Sequence, residues 1–356
     1  LARSNTGEVT VRIGFIGTGF IARTHNWFLK HTAADHRVVA VHDVDTARAA
    51  AFAARVGADV VTEDDIFDHV DAVFVTTWTS EHERLVAAAA ERGVAVFCEK
   101  PLAVDAASAE RMVDAVEAAE VANQVGLVLR FMPHFLHAKT LLDDGRAGRL
   151  LAVSFRDDQF IPIQSHYDSS WRIDASRAGR GTLLEHSIHD VDIMQWLCGR
   201  VDRVNGVVRE VHGHPRIDDV AMARLEFTDG GVASLTSIWH DIVDRPSLRN
   251  IEVFCENLYL HLDGEATSPL TWQFTDGPVE TLGGHDLARA CIDAGHARER
   301  DITPVESGAM FNPLTPFLDA IADGAPSPLP LREALPAHRI VDAIYASADS
   351  GATIGV

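Results

Sequence analysis

Val11-Arg-Ile-Gly-Phe-Ile-Gly17-Thr-Gly19-Phe20-Ile21-Ala22 carries an apolar run straight into a Gly-x-Gly-x-x-Ala turn, followed by residues that read as the start of a helix. In a dinucleotide-binding fold, Gly17 permits the tight turn, Gly19 lets the main chain approach a pyrophosphate, and Ala22 lets helix and strand pack closely. Phe20 and Ile21 complete the cofactor-facing stretch. The turn alone is equally compatible with a plain strand-turn-helix of small residues. Asp43 adds weight, because it closes the next run, Val38-Val-Ala-Val-His-Asp43, a little over 20 residues on, where a ribose-binding carboxylate is expected. A carboxylate favours a free 2′-hydroxyl and repels a 2′-phosphate, so the cofactor expected is NAD, with NADP the lesser alternative. A strand-end acid that only closes a turn is the bland reading of Asp43.

From Val11 to about Val128, short β-branched runs alternate with Ala-rich segments charged at helical spacing, the rhythm of a parallel sheet with crossover helices. Strands are expected over Val11–Ile16, Val38–Val41, Ala72–Thr76, Ala95–Cys98 and Asn123–Leu127. Helices are expected over Ala47–Val56, Glu81–Arg92 and Ala106–Ala119, with Gly93 as a left-handed cap. Beyond Arg130 the rhythm changes. A helix over Phe135–Leu142 precedes apolar/polar alternation at Val220–Phe227, Val232–Trp239, Ile251–Cys255 and Leu258–Leu262, an order that predicts a meander. Helices are predicted at Pro313–Ile321 and Pro336–Ser347, with Pro326–Pro330 between them as a surface loop. Two domains are therefore expected, 1–129 and 130–356, the C-terminal helices being free to pack back on the first.

Composition narrows the function classes. Against 31 Lys plus Arg stand 52 Asp plus Glu, a formal net charge of −21. Such a surface repels polyphosphate and anionic lipid, so neither nucleic acid nor a membrane is an expected partner. The four cysteines, Cys98, Cys198, Cys255 and Cys291, form no Cys-x-x-Cys pair and suit a reduced cytoplasm. Leu1 to Val9 lacks the basic-then-apolar pattern of a secretion signal.

Two further stretches are Asp71-Ala-Val-Phe-Val-Thr76-Thr77-Trp78-Thr-Ser-Glu-His82 and, after a helix, Val96-Phe-Cys98-Glu99-Lys100-Pro101. With Trp171-Arg172, Gly181-Thr-Leu-Leu-Glu185-His186-Ser-Ile-His189-Asp-Val-Asp192, Trp196-Leu-Cys-Gly199 and the tail from Phe317, they make the chain resemble the Gfo/Idh/MocA family, the relatives of glucose–fructose oxidoreductase and inositol dehydrogenase. The resemblance covers nearly the whole chain. It implies an N-terminal Rossmann domain and a C-terminal α/β domain with a large open, mostly antiparallel sheet that covers the active site or meets another subunit in a dimer or tetramer. It also implies that Thr76, Thr77, Trp78, His82, Glu99, Lys100 and Pro101 lie along the cofactor, with Lys100 at the junction of nicotinamide and substrate. Two positions depart from the family pattern: Trp78 stands where proline is frequent, and Glu185 where the acid is more often aspartate.

The chemistry so implied is hydride transfer between nicotinamide and a carbinol carbon of a sugar, sugar derivative or cyclic polyol. His189 is the candidate base, since an imidazole titrates near neutral pH. Lys100 would stabilise the developing alkoxide. Glu185 would orient the imidazole or a substrate hydroxyl, sharing a helix face with His189 if Thr182–Leu197 is one helix. Arg130, Trp171, Arg172 and His186 complete the expected substrate contacts. His186 reads equally as a packed histidine, and a metal is not expected, because His-x-x-His without further placed ligands is weak. Two other readings share these residues: an NAD-using hydrolase or lyase acting by transient oxidation, and a dinucleotide-binding sensor without catalysis.

Overall fold

The structure is a computed structural model that describes the chain apart from residues 1, 4–8, 166, 168, 265–267 and 306–307. Two compact units emerge: Leu1–Leu127 with Asn312–Leu335, and Val128–Phe311 with Pro336–Val356. The cut expected after residue 129 thus falls after 127, and the segment 312–335 groups with the first unit.

In the first unit, six strands pair in parallel: β1 (Val9–Ile16), β2 (His36–His42), β3 (Asp59–Val60), β4 (Ala72–Val75), β5 (Ala95–Cys98) and β6 (Asn123–Val125), in the order β3-β2-β1-β4-β5-β6. Helices α1 (Phe20–Lys30), α2 (Thr46–Val56), α3 (His82–Glu91) and α4 (Ala106–Ala118) are crossovers. The order reverses between β1 and β4, and ligands of open α/β sheets bind beyond the carboxyl ends of strands at such a point. Local chemistry sets the helix ends. Asp45 caps α2 by accepting from the Ala47 and Arg48 N–H groups, Asp105 caps α4 through the Ser108 N–H, and Gly93 takes the expected left-handed φ of +67°. Behind the sheet, Phe15, Phe74, Phe97 and Phe317 form one fully buried aromatic file, with Phe74 stacked on Phe97 at 4.9 Å. Residues Pro326–Pro330 are not a plain surface loop. Leu329 accepts from the Val125 N–H and the Ser327 hydroxyl donates to Gln124, because the outer edge of β6 would otherwise leave main-chain groups unpaired.

The second unit opens with α5 (Pro133–Asp143) and the long strand β7 (Leu150–Phe160), and continues with α6 (Thr182–Glu185), α7 (Ile188–Cys198), β8 (Val201–Arg209), β9 (Val220–Phe227), β10 (Val232–His240), β11 (Leu248–Cys255), β12 (Leu258–Gly264), β13 (Leu270–Phe274), β14 (Glu280–Leu282) and, at the end, β15 (Ile354–Gly355). The sheet order is β14-β13-β12-β11-β7-β10-β9-β8-β15. Every pairing is antiparallel except β7 with β10. The predicted meander is therefore broken in the middle, where β7 inserts between β10 and β11. Its register sets Val153 between Ala233 and Val253, and Phe155 between Leu235 and Ile251, all on one buried face. Alternation marks such strands as half-buried but carries no information about which neighbour each will take. The opposite face leaves Met222 and its cross-strand partner Val207 about half exposed, with Phe254 similar.

Of the cysteines, Cys98, Cys255 and Cys291 are buried and Cys198 partly so, and all four are free thiols. Burial drives the Cys98 thiol well above its ordinary range and Cys291 up to about 12, which leaves both protonated at neutral pH. Among the described residues, no helix is long and apolar enough to cross a membrane.

Candidate active site

The first unit assembles its candidate residues beyond the carboxyl ends of β1, β2, β4 and β5. Gly17 sits at φ +87°, and a Cβ there would lie 2.5 Å from the Thr76 carbonyl, so both conformation and space demand glycine. Thr76 locks the same approach by donating its hydroxyl to the Gly17 carbonyl at 2.6 Å. At Gly19, which caps α1, a Cβ would meet nothing within 4 Å. The protein itself therefore does not require glycine there, whereas an external group laid against the main chain would. The first turn of α1 holds no acidic residue, which keeps its N–H groups suited to a phosphate. These features fit a dinucleotide pyrophosphate. Phe20 and Ile21, partly exposed, begin that helix.

Asp43 is buried and more engaged than a bare ribose ligand. One oxygen accepts from the Thr18 N–H at 2.7 Å and its hydroxyl at 2.9 Å, and the other accepts from the Asp45 N–H. It therefore shapes the glycine turn as well as offering charge there. The Thr77 hydroxyl donates to the Trp78 carbonyl, and Trp78, partly buried, precedes the short turn leading to α3.

Past β5 comes the Glu99-Lys100-Pro101 turn, whose Lys100–Pro101 bond is cis. His82, at the start of α3, places Nδ1 3.0 Å from the Pro101 carbonyl oxygen. Glu99 is buried. Burial raises its carboxyl, but the hydrogen bond from His25 and the nearby positive charge outweigh that and hold it below the ordinary carboxylate range. Lys100, half-buried, donates its main-chain N–H to Glu99. Glu99 and His82 thus shape the lysine turn, a role that motif reading did not separate from direct cofactor contact.

In the second unit, Glu185 and His189 do not share one helix. Strands and loops beneath them impose the break. The Asp218 carboxylate accepts from the Gly181 and Leu183 N–H groups, and the buried Thr182 and Ser187 hydroxyls both meet Ser237 of β10, at 2.8 and 2.6 Å. Ser187 bonds back to the Thr182 carbonyl, one residue farther than a helix would, so α6 ends at Glu185 and α7 starts anew at Ile188. Gly181 is required here too, since a Cβ would collide with the Asp218 main chain.

Glu185 and His189 are both buried. Arg172 reaches Glu185 at 3.2 Å while stacking over Trp171 at 4.8 Å, and Trp171 packs on the cluster of Ile161, Ala178, Ile217 and Trp239. Arg130 is bidentate to Asp192 at 2.6 and 2.9 Å and lies over Trp196. His186 stands 2.7 Å from Asp157, which is fully buried together with Asp190 and bridged to it by Arg249, at 3.0 and 2.8 Å. Sequence reading missed Asp157, Asp190 and Arg249. The available signal was Arg156-Asp157-Asp158-Gln159, four polar residues in succession in a strand, a pattern unsuited to a half-buried strand unless partners wait on both faces. Among the described residues, no group of three or more His, Cys, Asp or Glu side chains is placed to hold a metal ion.

Burial, then the Asp157 charge, push the Asp190 carboxyl up to about 6 from an ordinary 3.8. The folded chain therefore holds this proton more tightly than the unfolded one. By linkage, stability falls as pH rises from about 4 to about 6, to a penalty of about 3 kcal/mol above that window. Asp190→Asn mimics the protonated acid. It is expected to be more stable than the parent at pH 7.5, with the difference shrinking to nothing toward pH 4. Urea unfolding at both values checks this, and a variant less stable than the parent at pH 7.5 refutes it.

Two family models match the sequence: the oxidoreductase family with NAD-binding Rossmann fold over residues 11–127, and the GFO/IDH/MocA C-terminal domain over residues 135–261. Similar curated proteins include an inositol 2-dehydrogenase of Rhizobium meliloti, 34% identical over 193 residues, covering 54% of this chain and 56% of that protein. Inositol 2-dehydrogenase 3 of Saccharopolyspora erythraea is 36% identical over 198 residues, covering 53% of this chain and 54% of its own. The chain thus spans just over half the length of these relatives. Among solved structures, levoglucosan dehydrogenase in complex with NADH superposes with a TM-score of 0.84 at 23% identity, covering 98% of this chain and 99% of that one. The aldose-aldose oxidoreductase from Caulobacter crescentus gives 0.79 at 23%, covering 98% and 100%. At such identities the structural likeness establishes the fold.

Proposed function

Since the chain belongs to the Gfo/Idh/MocA oxidoreductase family, we propose that it is an NAD-dependent dehydrogenase acting on a carbinol carbon of a neutral sugar or cyclic polyol. The N–H groups at the start of α1 would hold the pyrophosphate, with Gly17 and Gly19 allowing the approach, and Asp43 would meet the ribose and disfavour a 2′-phosphate. NAD supplies the hydride acceptor. Lys100 offers a cation to the oxygen as it becomes an alkoxide, His189 takes the hydroxyl proton, and Glu185, held by Arg172, orients the acceptor side of that transfer.

One observation carries the preference for a neutral substrate. In the second unit, the guanidinium groups of the candidate site are already matched to carboxylates: Arg172 to Glu185, Arg130 to Asp192, and Arg249 to Asp157 and Asp190. A sugar acid or sugar phosphate would have to break a partly or fully buried pair to win a cation, which is costly. The relatives named inositol 2-dehydrogenase support the same class. A homo-oligomer through the open sheet face, where Met222 and Val207 are exposed, accords with this reading.

Reduction of NAD followed at 340 nm settles the matter. Neutral compounds such as myo-inositol and aldoses are expected to reduce NAD, with kcat/KM at least about tenfold above glucuronate or hexose phosphates, a margin of about 1.4 kcal/mol. A reversed preference overturns the neutral-substrate reading. Product without a carbonyl, and cofactor returned unchanged, overturns the dehydrogenase reading in favour of transient oxidation.

A further inference from the structure

His25 lies in the second turn of α1, six residues past Gly19, with 1% of its surface exposed. No role in the reaction outlined above requires it. Its ring sits edge-on to Phe97 at 4.8 Å and to Phe74 at 6.0 Å, an apolar surround in which a polar ring needs a reason to be. That reason is Glu99: Nε2 of His25 stands 2.5 Å from Oε1 of a carboxylate that is itself 6% exposed. The second carboxylate oxygen accepts the Lys100 main-chain N–H at 3.0 Å. On the remaining side is Gly126, where a Cβ would lie 2.8 Å from Oε1, so the main chain closes flush against the acid. Glu99 is thus fixed from three directions, and what it fixes in turn is the main chain from which the lysine side chain departs.

We propose that His25 is a positioning residue for Lys100, acting through Glu99, so that the helix carrying the glycine turn and the turn carrying the lysine are set by one buried hydrogen bond. This rests on the role given to Lys100 above. The pair is short, buried and lies 74 residues apart in sequence, so it holds two separate loops of the first unit in one register. Removing one partner would leave the other buried without its counter-group, and the lysine turn would relax toward other conformations. Misplacement by about 1 Å can cost about 10²-fold in rate without loss of binding.

The test compares His25→Phe, which fills an aromatic-lined space but cannot donate, with His25→Gln, whose amide can still donate to Glu99. Four quantities are read on the full chain: thermal stability, NADH affinity by quenching of intrinsic fluorescence, and kcat and KM for the best polyol. Expected are a loss of about 10²-fold in kcat for His25→Phe with KM and NADH affinity near the parent, and recovery of most of that loss in His25→Gln. If the phenylalanine variant does not fold, Glu99→Gln, which keeps the shape and removes the charge, is expected to give the same split. Loss of NADH affinity in step with kcat, or equal activity in both His25 variants, overturns the proposal. Lys100→Ala distinguishes the two levels. An inactive Lys100→Ala beside a fully active His25→Phe refutes only the positioning role, whereas an active Lys100→Ala refutes the reading on which it rests.

Discussion

Exchanging Lys100 for alanine is expected to lower kcat by about 10² to 10³-fold, the loss typical when one preorganised charge is removed from a developing oxyanion. Glu99 accepts the Lys100 main-chain N–H, His82 approaches the Pro101 carbonyl, and a half-buried ammonium remains at the carboxyl end of β5, where open α/β sheets place their chemistry. Because the pyrophosphate would be held by the start of α1 and not by this side chain, NADH affinity should stay near that of the parent. Lys100→Arg should recover only part of the rate, since a planar guanidinium keeps the charge but not the compact geometry of an ammonium. Titration of the variant with NADH, together with initial rates on the best polyol, separates the two effects. Unchanged kcat in Lys100→Ala would remove the lysine from the reaction.

Arg249→Met should strongly destabilise the second unit. Arg249 is 6% exposed and bridges two carboxylates, Asp157 and Asp190, that are both fully buried. Methionine fills much of its volume but leaves two like charges facing each other in a low-dielectric setting. Breaking such a pair costs about 3–5 kcal/mol, which for units of this size lowers Tm by about 10 °C. The loss should be smaller at pH 5, where Asp190, pushed up to about 6, takes a proton and relieves the repulsion. Calorimetry at pH 5 and pH 8 measures both numbers. A variant equally stable at the two values, or as stable as the parent, would show that the bridge does not carry this charge.

Much of the first unit was open to reading because its signals are local. A β-branched run followed by Gly17 and Gly19, the Asp45 and Asp105 caps, and Gly93 after α3 each specify their own few residues; the expected strands and helices recur to within one or two positions, while the two-residue β3 was not expected. Glu99-Lys100-Pro101 could be picked out as a motif, yet the motif did not show that its glutamate is buried against His25. Periodicity could not disclose that, since the partner, His25, is 74 residues away. In the second unit, alternation located β9 to β12 well. It did not disclose that β7 inserts between β10 and β11, nor whether Thr182 to Leu197 is one helix or two.

From the amino-acid sequence alone came the identity and approximate bounds of the elements, the family, and the short list of residues with chemistry to offer, because propensity, capping and motif spacing act over a few residues of chain. Three things waited for the tertiary structure: the insertion of β7 between β10 and β11, the break forced between Glu185 and His189 by Asp218 and Ser237, and the pairing of each buried charge. Those depend on which distant segments share a hydrogen-bond ladder or a desolvated contact. That choice is made by the free energy of the whole packed unit and leaves no periodic trace in any one segment.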